Sequence, residues 1–250
     1  MCLILFAWRC VESHPLVLAA NRDEFFRRPT LPLARWRASP NVLGGRDLKA
    51  GGGWLAFHAD GRFAAVTNVR QGATPRPEMK SRGRLIADYL RGRFGPDEFG
   101  ARVVGAEYDG FNLLLGDREA LYFLSNRNDE RLQKLSPGIY GLSNASLDTT
   151  WPKVVRGKAA FAAALPTLPE TDAFFDLLAD HAQADDGDLP ATGVPLEWER
   201  QLSPIFIATP DYGTRSSTVA LRRADGETLV VERGFGPDGL LGESRATLRA

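Results

Sequence analysis

The order of apolar segments along this chain predicts an α+β fold. Strands come first, then helices, then strands, helices and strands again, with no βαβ alternation. No Gly-x-Gly-x-x-Gly follows a strand, which removes the dinucleotide fingerprint of a doubly wound sheet. Two Asp-Gly pairs, Asp60-Gly61 and Asp225-Gly226, stand between β-forming runs as hairpin turns do.

Taken in order, β-formers mark strands near 2–8, 16–20, 54–58 and 63–68. Residues 81–94 place Leu85, Ile86, Tyr89, Leu90 and Phe94 on one helical face, and Gly95-Pro96 stops the run, with a shorter helix starting at Pro96. Strands resume near 111–116, 120–125 and 139–143. Helical patterns follow near 152–164 and 171–184, the second burying Phe174, Leu177, Leu178 and His181. The Asp, Gly and Pro of 185–195 read as a surface loop, and strands near 204–209, 216–223 and 227–234 close the chain. With no repeat, heptad run or linker, residues 1–250 read as one domain.

Thirty-one basic and thirty-one acidic residues cancel, so no global charge footprint points to nucleic acid or an anionic membrane. No basic n-region precedes the first apolar run and no stretch approaches ~20 apolar residues, so a cytoplasmic protein without an integral membrane segment is expected. Cys2 and Cys10 lie on one extended run, where eight steps span roughly 26 Å against a limit of ~7 Å for a bridge. The thiols and the scattered His14, His58 and His181 make no zinc-ligand spacing, and the histidines read as surface or satisfied core residues.

Chemistry concentrates at Cys2. Removal of Met1 would leave a thiol and a free α-amine on one residue. An amine titrating near ~7.7 to 8.0 can take the proton of its own side chain as general base. Asn21-Arg22-Asp23-Glu24 follows the second strand and has two readings. One is a solvated turn with a surface ion pair. The other is a charged cluster beside Cys2, since a short turn near 12–15 makes the first two strands antiparallel neighbours. Arg22 would then lower the thiol pKa and Asp23 would orient the amine.

These residues carry a resemblance. Met1-Cys2-Leu3-Ile4, Leu18-Ala19-Ala20-Asn21-Arg22-Asp23-Glu24-Phe25, Gly51-Gly52-Gly53-Trp54-Leu55 and Val66-Thr67-Asn68 resemble the NRDE family, which includes the transport and Golgi organisation 2 proteins. So do Gly110-Phe111-Asn112-Leu113-Leu114, Tyr140-Gly141-Leu142-Ser143-Asn144 with Trp151, and Tyr212-Gly213-Thr214-Arg215-Ser216. That family is similar to cysteine N-terminal nucleophile hydrolases of the penicillin acylase and bile salt hydrolase type. The relation implies a four-layer αββα sandwich of N-terminal nucleophile hydrolase type. It also implies that Asn68 and Asn144 polarise a scissile carbonyl, that Asp23 contacts the α-amine, and that Arg215 is the late arginine near the nucleophile. The hydrolases carry their other arginine two residues earlier than Arg22, where this chain has Ala20.

Other readings of the same residues stand beside these. Asn68 and Asn144 also suit turns. Gly51 to Gly53 lack the Lys-Ser/Thr of a phosphate loop and read as a loop letting Trp54 enter a sheet, while Trp54, Trp151 and Phe111 read as core. Two functions follow. One is an amidohydrolase cutting linear C–N amide bonds of a small-molecule substrate through a Cys2 acyl-enzyme, without metal or organic cofactor. The other, implied by the resemblance, is a non-catalytic carrier of haem or of acyl-coenzyme A or lipid. Haem iron would want an axial His, Cys, Met or Tyr, and no Cys-x-x-Cys-His is present.

Overall fold

The computed structural model describes residues 2–72, 76, 78–127 and 131–249. Strands β1 (Cys2–Trp8) and β2 (Leu16–Phe25) pair antiparallel, with Cys2 opposite Arg22 and Trp8 opposite Leu16. Then come β3 (Thr30–Trp36), β4 (Ser39–Asp47), β5 (Leu55–His58) and β6 (Phe63–Asn68), followed by helices α1 (Gly83–Arg91) and α2 (Pro96–Ala101). Next are β7 (Phe111–Gly116), β8 (Leu121–Ser125), the short β9 (Gln133–Lys134) and β10 (Gly138–Leu142). Helices α3 (Pro152–Ala164), α4 (Asp172–Leu178) and α5 (Leu196–Gln201) precede β11 (Tyr212–Arg222), β12 (Thr228–Gly236) and β13 (Gly239–Leu248).

The strands form two antiparallel sheets, ordered β10-β1-β2-β11-β12-β13 and β3-β4-β5-β6-β7-β8-β9. Alternation of side chains along a strand decides what each face meets. Ile4, Phe6, Trp8, Leu16, Leu18 and Ala20 face Leu55, Phe57, Phe63 and Leu114 across the space between the sheets. The intervening Leu3, Leu5, Ala7, Val17 and Ala19 face Val154 and Phe161 of α3 and Phe174 and Leu178 of α4. On the far side, Ala64, Val66, Leu113 and Leu115 meet Leu85, Ile86, Tyr89 and Leu90 of α1. The result is the expected four-layer αββα sandwich. It also explains why residues 3–8 are apolar without alternation, since β1 is covered on both faces.

Several expectations need correction. The second strand does not stop at residue 20 but runs to Phe25, so Asn21, Arg22, Asp23 and Glu24 are strand residues rather than a turn. The helix expected over 171–184 ends at Leu178 and leaves His181 exposed. There the Asp180 carboxylate accepts from the Ala182 N–H at 2.7 Å, and the Asp180 carbonyl accepts from the Phe206 N–H. Only an isolated bridge, Ala208 to Gly213, occurs where a strand near 204–209 was expected. β3, β4, β13 and α5 carry no clear sequence signal. β3 contains Pro32 and is mostly exposed, and β13 shows five consecutive exposed residues, as outermost strands tolerate.

The triple glycine has a packing reason. A Cβ at Gly52 would lie 2.3 Å from the Gly83 carbonyl carbon and oxygen, and the Gly53 N–H donates to that oxygen at 3.3 Å. The loop before β5 therefore seats the start of α1 backbone to backbone. Gly52→Ala is expected to cost about 1–3 kcal/mol by overpacking, read as a lower denaturant midpoint at unchanged slope.

Candidate functional site

Cys2 is the first residue of β1 and shares the inter-sheet side of the strand with Ile4. It lines a cleft with Arg22 and Asp23 of β2, Trp54, Asn68 at the end of β6, and Arg82 just before α1. Hydrogen bonds join the two sheets at this point. The Ser143 hydroxyl donates to the Cys2 carbonyl at 3.1 Å, and the Thr67 hydroxyl donates to the Ser143 carbonyl at 2.7 Å. The Asn144 amide donates to the Asn68 carbonyl at 2.7 Å, and the Arg70 N–H donates to the Asn144 carbonyl at 2.8 Å. The Asn112 amide donates to the Thr67 hydroxyl and to the Ala145 carbonyl. Strand β6 and the segment after β10 are thereby fixed against the start of β1.

Burial pushes the Cys2 thiol above its ordinary pKa, and the negative charge of Asp23 adds to the rise while Arg22 opposes it. Arg22 thus acts in the expected direction without prevailing; the thiol is raised, not lowered. A thiol that keeps its proton needs a base beside it. Arg22 itself stacks over Trp54, its guanidinium carbon 4.1 Å from the ring centroid, and donates to the Thr30 hydroxyl at 3.2 Å. Asp23 is buried, which raises its pKa, while Lys153, the Thr214 hydroxyl donating at 2.8 Å, and Arg22 pull it back down.

Asn68 lies in the Cys2 cleft. Asn144 is fully buried one hydrogen bond behind it and lines an adjoining cleft with Asn112 and Trp151. Arg215 sits at an irregularity where the pairing of β11 with β2 shifts between Thr214 and Ser216. Its Nη1 donates to the carbonyls of Phe25, Phe26 and Arg28 at 3.0, 3.2 and 3.0 Å, clamping the turn that leaves β2. It lines a separate cleft, which meets that of Cys2 at Arg22 and Trp54. The expected cluster is therefore gathered around Cys2 for Arg22, Asp23 and Asn68, with Asn144 immediately behind and Arg215 to one side. The expected removal of Met1 concerns a residue outside those described.

Lys153 belongs to the same region and escaped the sequence reading. It is buried, donates to the Leu202 carbonyl at 2.9 Å, and is pushed down to about 8 by desolvation, with Asp23 and Cys2 opposing and Arg70 adding to the fall. One signal was available: a lysine in the first turn of a helix opposes the helix dipole. Because its folded pKa lies below the unfolded value, the cost of burying its charge is full below about pH 8. That cost is relieved as pH rises toward the unfolded pKa of ~10.4. Wild type is expected to gain about 3 kcal/mol relative to Lys153→Met between pH 7 and 10.5, measured by denaturant unfolding of both proteins.

With the geometry described, the chain can be set against known proteins. Its fold is similar to that of a Caenorhabditis elegans N-acylethanolamine-hydrolyzing acid amidase ortholog, with TM-score 0.51, 11% identity, and coverage of 87% of this chain and 92% of that one. It is also similar to the conjugated bile acid hydrolase of Clostridium perfringens, with TM-score 0.54, 9% identity, and coverage of 100% and 97%. These likenesses establish the N-terminal nucleophile hydrolase fold. The Transport and Golgi organization protein 2 homolog of Bos taurus is 36% identical over 94% of this chain and 93% of its own length. The Homo sapiens homolog is 33% identical over the same shares, and the Drosophila melanogaster protein 28% identical over 96% and 95%. A family model, Transport and Golgi organisation 2, matches residues 1–237, and the chain belongs to that family.

Proposed function

We propose that this protein is an N-terminal-cysteine amidohydrolase acting on linear amides of small molecules. The observation that carries the reading is the placement of Cys2. It heads β1 of the six-stranded sheet, opposite Arg22 in register, in one cleft with Asp23 and Asn68. In this mechanism Met1 is removed and the Cys2 α-amine, oriented by Asp23, takes the thiol proton. The sulfur attacks the amide carbon, the C–N bond breaks and the amine leaves with that proton. Water then cleaves the thioester to release the acid. Asn68 and Asn144 stabilise the oxyanion, Arg22 lends positive charge, and Arg215 holds the neighbouring turn. Among the described residues no group of three or more His, Cys, Asp and Glu converges to hold a metal ion. Both cysteines are free, which fits a reducing, cytoplasmic setting.

One observation favours a second reading, a carrier of a hydrophobic ligand such as haem or acyl-coenzyme A. The cleft that meets that of Cys2 at Arg22 and Trp54 is lined by Leu31, Pro32, Phe235 and Leu241, of which Leu31 and Leu241 are exposed. Of the residue types that ligate haem iron, the linings of these two clefts offer only Cys2. The two readings separate by intact mass after incubation with a panel of acyl amides, alongside titration with haem and long-chain acyl-coenzyme A. The hydrolase predicts a mature chain beginning at Cys2 and an acyl adduct confined to Cys2. A retained methionine, or stoichiometric ligand binding with neither adduct nor turnover, transfers the assignment to the carrier.

A further inference from the structure

A larger cleft, of about 750 Å³, opens beside that of Cys2 and shares Glu24, Arg28, Asn68 and Arg82 with it. Its lining holds Arg27, Arg28, Lys49, Arg70 and Arg82 against the single carboxylate of Glu24, in a chain whose acids and bases cancel overall. Asp47 answers Arg28 at 2.8 Å and Glu199 answers Arg70 at 3.1 Å. Arg27, Lys49 and Arg82 have no acidic partner within ion-pair distance among the described residues, and Arg82 donates only to the Gly110 carbonyl at 3.1 Å.

Arg70 supplies an independent observation. Its side chain is 5% exposed and its guanidinium lies over Trp151, 4.4 Å from the ring centroid. One nitrogen, Nη2, meets Glu199, while Nε and Nη1 are buried without a hydrogen-bond partner. The two donor edges of a guanidinium share Nη2, so the orphaned Nε and Nη1 lie on different edges, and each is a buried donor lacking an acceptor, which is costly. An oxyanion is a group that supplies such acceptors to a cationic donor. Trp198, 39% exposed, with Phe25 and Tyr212, gives the same cleft an aromatic wall.

We propose that this cleft is an oxyanion subsite for a carboxylate or a phosphate carried on the substrate. It rests on the amidase reading only in naming a substrate; the recognition itself requires no catalysis. The probes are therefore pyrophosphate and succinate, titrated calorimetrically at low ionic strength into the full chain carrying Cys2→Ala. One-to-one binding is expected. Preference for pyrophosphate identifies a phosphate ligand and preference for succinate a carboxylate.

Arg27 and Lys49 are exposed, so replacing them leaves the core alone. Adding Arg27→Gln with Lys49→Gln should weaken the favoured probe about tenfold, and adding Arg82→Gln about a hundredfold. Arg9→Gln with Arg102→Gln, a control pair of residues outside this lining, should change it less than about twofold. Absence of saturable binding by either probe overturns the subsite, as does an equal loss in the control pair. Should Arg82→Gln fail to fold, the exposed pair still decides. Probe binding without any Cys2 adduct in wild type overturns the amidase reading alone, and an adduct without probe binding overturns the subsite alone.

Discussion

Cys2→Ala is expected to lower turnover of an acyl amide by about 10⁴-fold or more, the scale on which loss of a covalent nucleophile is felt. The effect should fall on kcat, with substrate still bound. Stability should hardly move, for reasons visible in the packing. Cys2 is only partly buried at the start of β1, and truncating one thiol there opens little cavity. The contact that secures this end of the strand is made by the Cys2 carbonyl with the Ser143 hydroxyl, which alanine retains. Kinetics and thermal unfolding measured together separate the outcomes. Turnover within a factor of ten of wild type in a folded variant excludes a thiol mechanism.

The raised thiol pKa sharpens that expectation. A thiol pushed up by burial and by Asp23 is mostly protonated near neutral pH, so attack depends on a base that removes the proton during the reaction. Arg22 cannot fill that role, since a guanidinium has only donors and no acceptor for a proton. The α-amine of a processed Cys2 can, and Asp23, held by the Thr214 hydroxyl, is the group that would orient it.

Much of this arrangement was legible in the sequence because the signals were local. The antiparallel pairing of the first two strands followed from a short turn between two β-forming runs, and a helix near 152–164 followed from its apolar pattern. Asn68 and Asn144 were found through motif resemblance, and the sheets bring them together across 76 residues of sequence. What was not legible depends on partners distant in the chain. Polar residues 21–24 read as lying beyond the second strand, as a turn or as a charged cluster beside Cys2, because nothing local shows that β11 lies alongside, with Ser217 donating to Asn21 at 2.6 Å and Thr214 to Asp23. Arg70 and Glu199 form a buried pair separated by more than a hundred residues, and Lys153 is concealed in an otherwise apolar helix face. Strands β3 and β13, at the outer ends of their sheets, bury too little to show an alternating pattern.

The second large effect concerns the two asparagines, and the structure makes them unequal. Asn68 ends β6 and lines the Cys2 cleft, so Asn68→Ala should remove one donor to the developing oxyanion and lower kcat by roughly 100 to 1,000-fold. KM should change little, because the interaction is worth most in the transition state. Asn144 is fully buried and its amide donates to the Asn68 carbonyl, so Asn144→Ala does two things at once. It should lower kcat on the same scale, and it should also cost about 1 kcal/mol of stability by leaving a part-buried carbonyl without that donor. Because Asn144 fixes the backbone of Asn68, the double variant should lose less in kcat than the product of the single losses. A carrier predicts the reverse pattern, with ligand affinity insensitive to Asn68 and sensitive to Leu31 and Phe235 of the apolar cleft. Steady-state kinetics on the three variants, with denaturant unfolding of each, test this directly. If Asn68→Ala raises KM at unchanged kcat, the residue binds ground state and transition state alike and the oxyanion assignment fails.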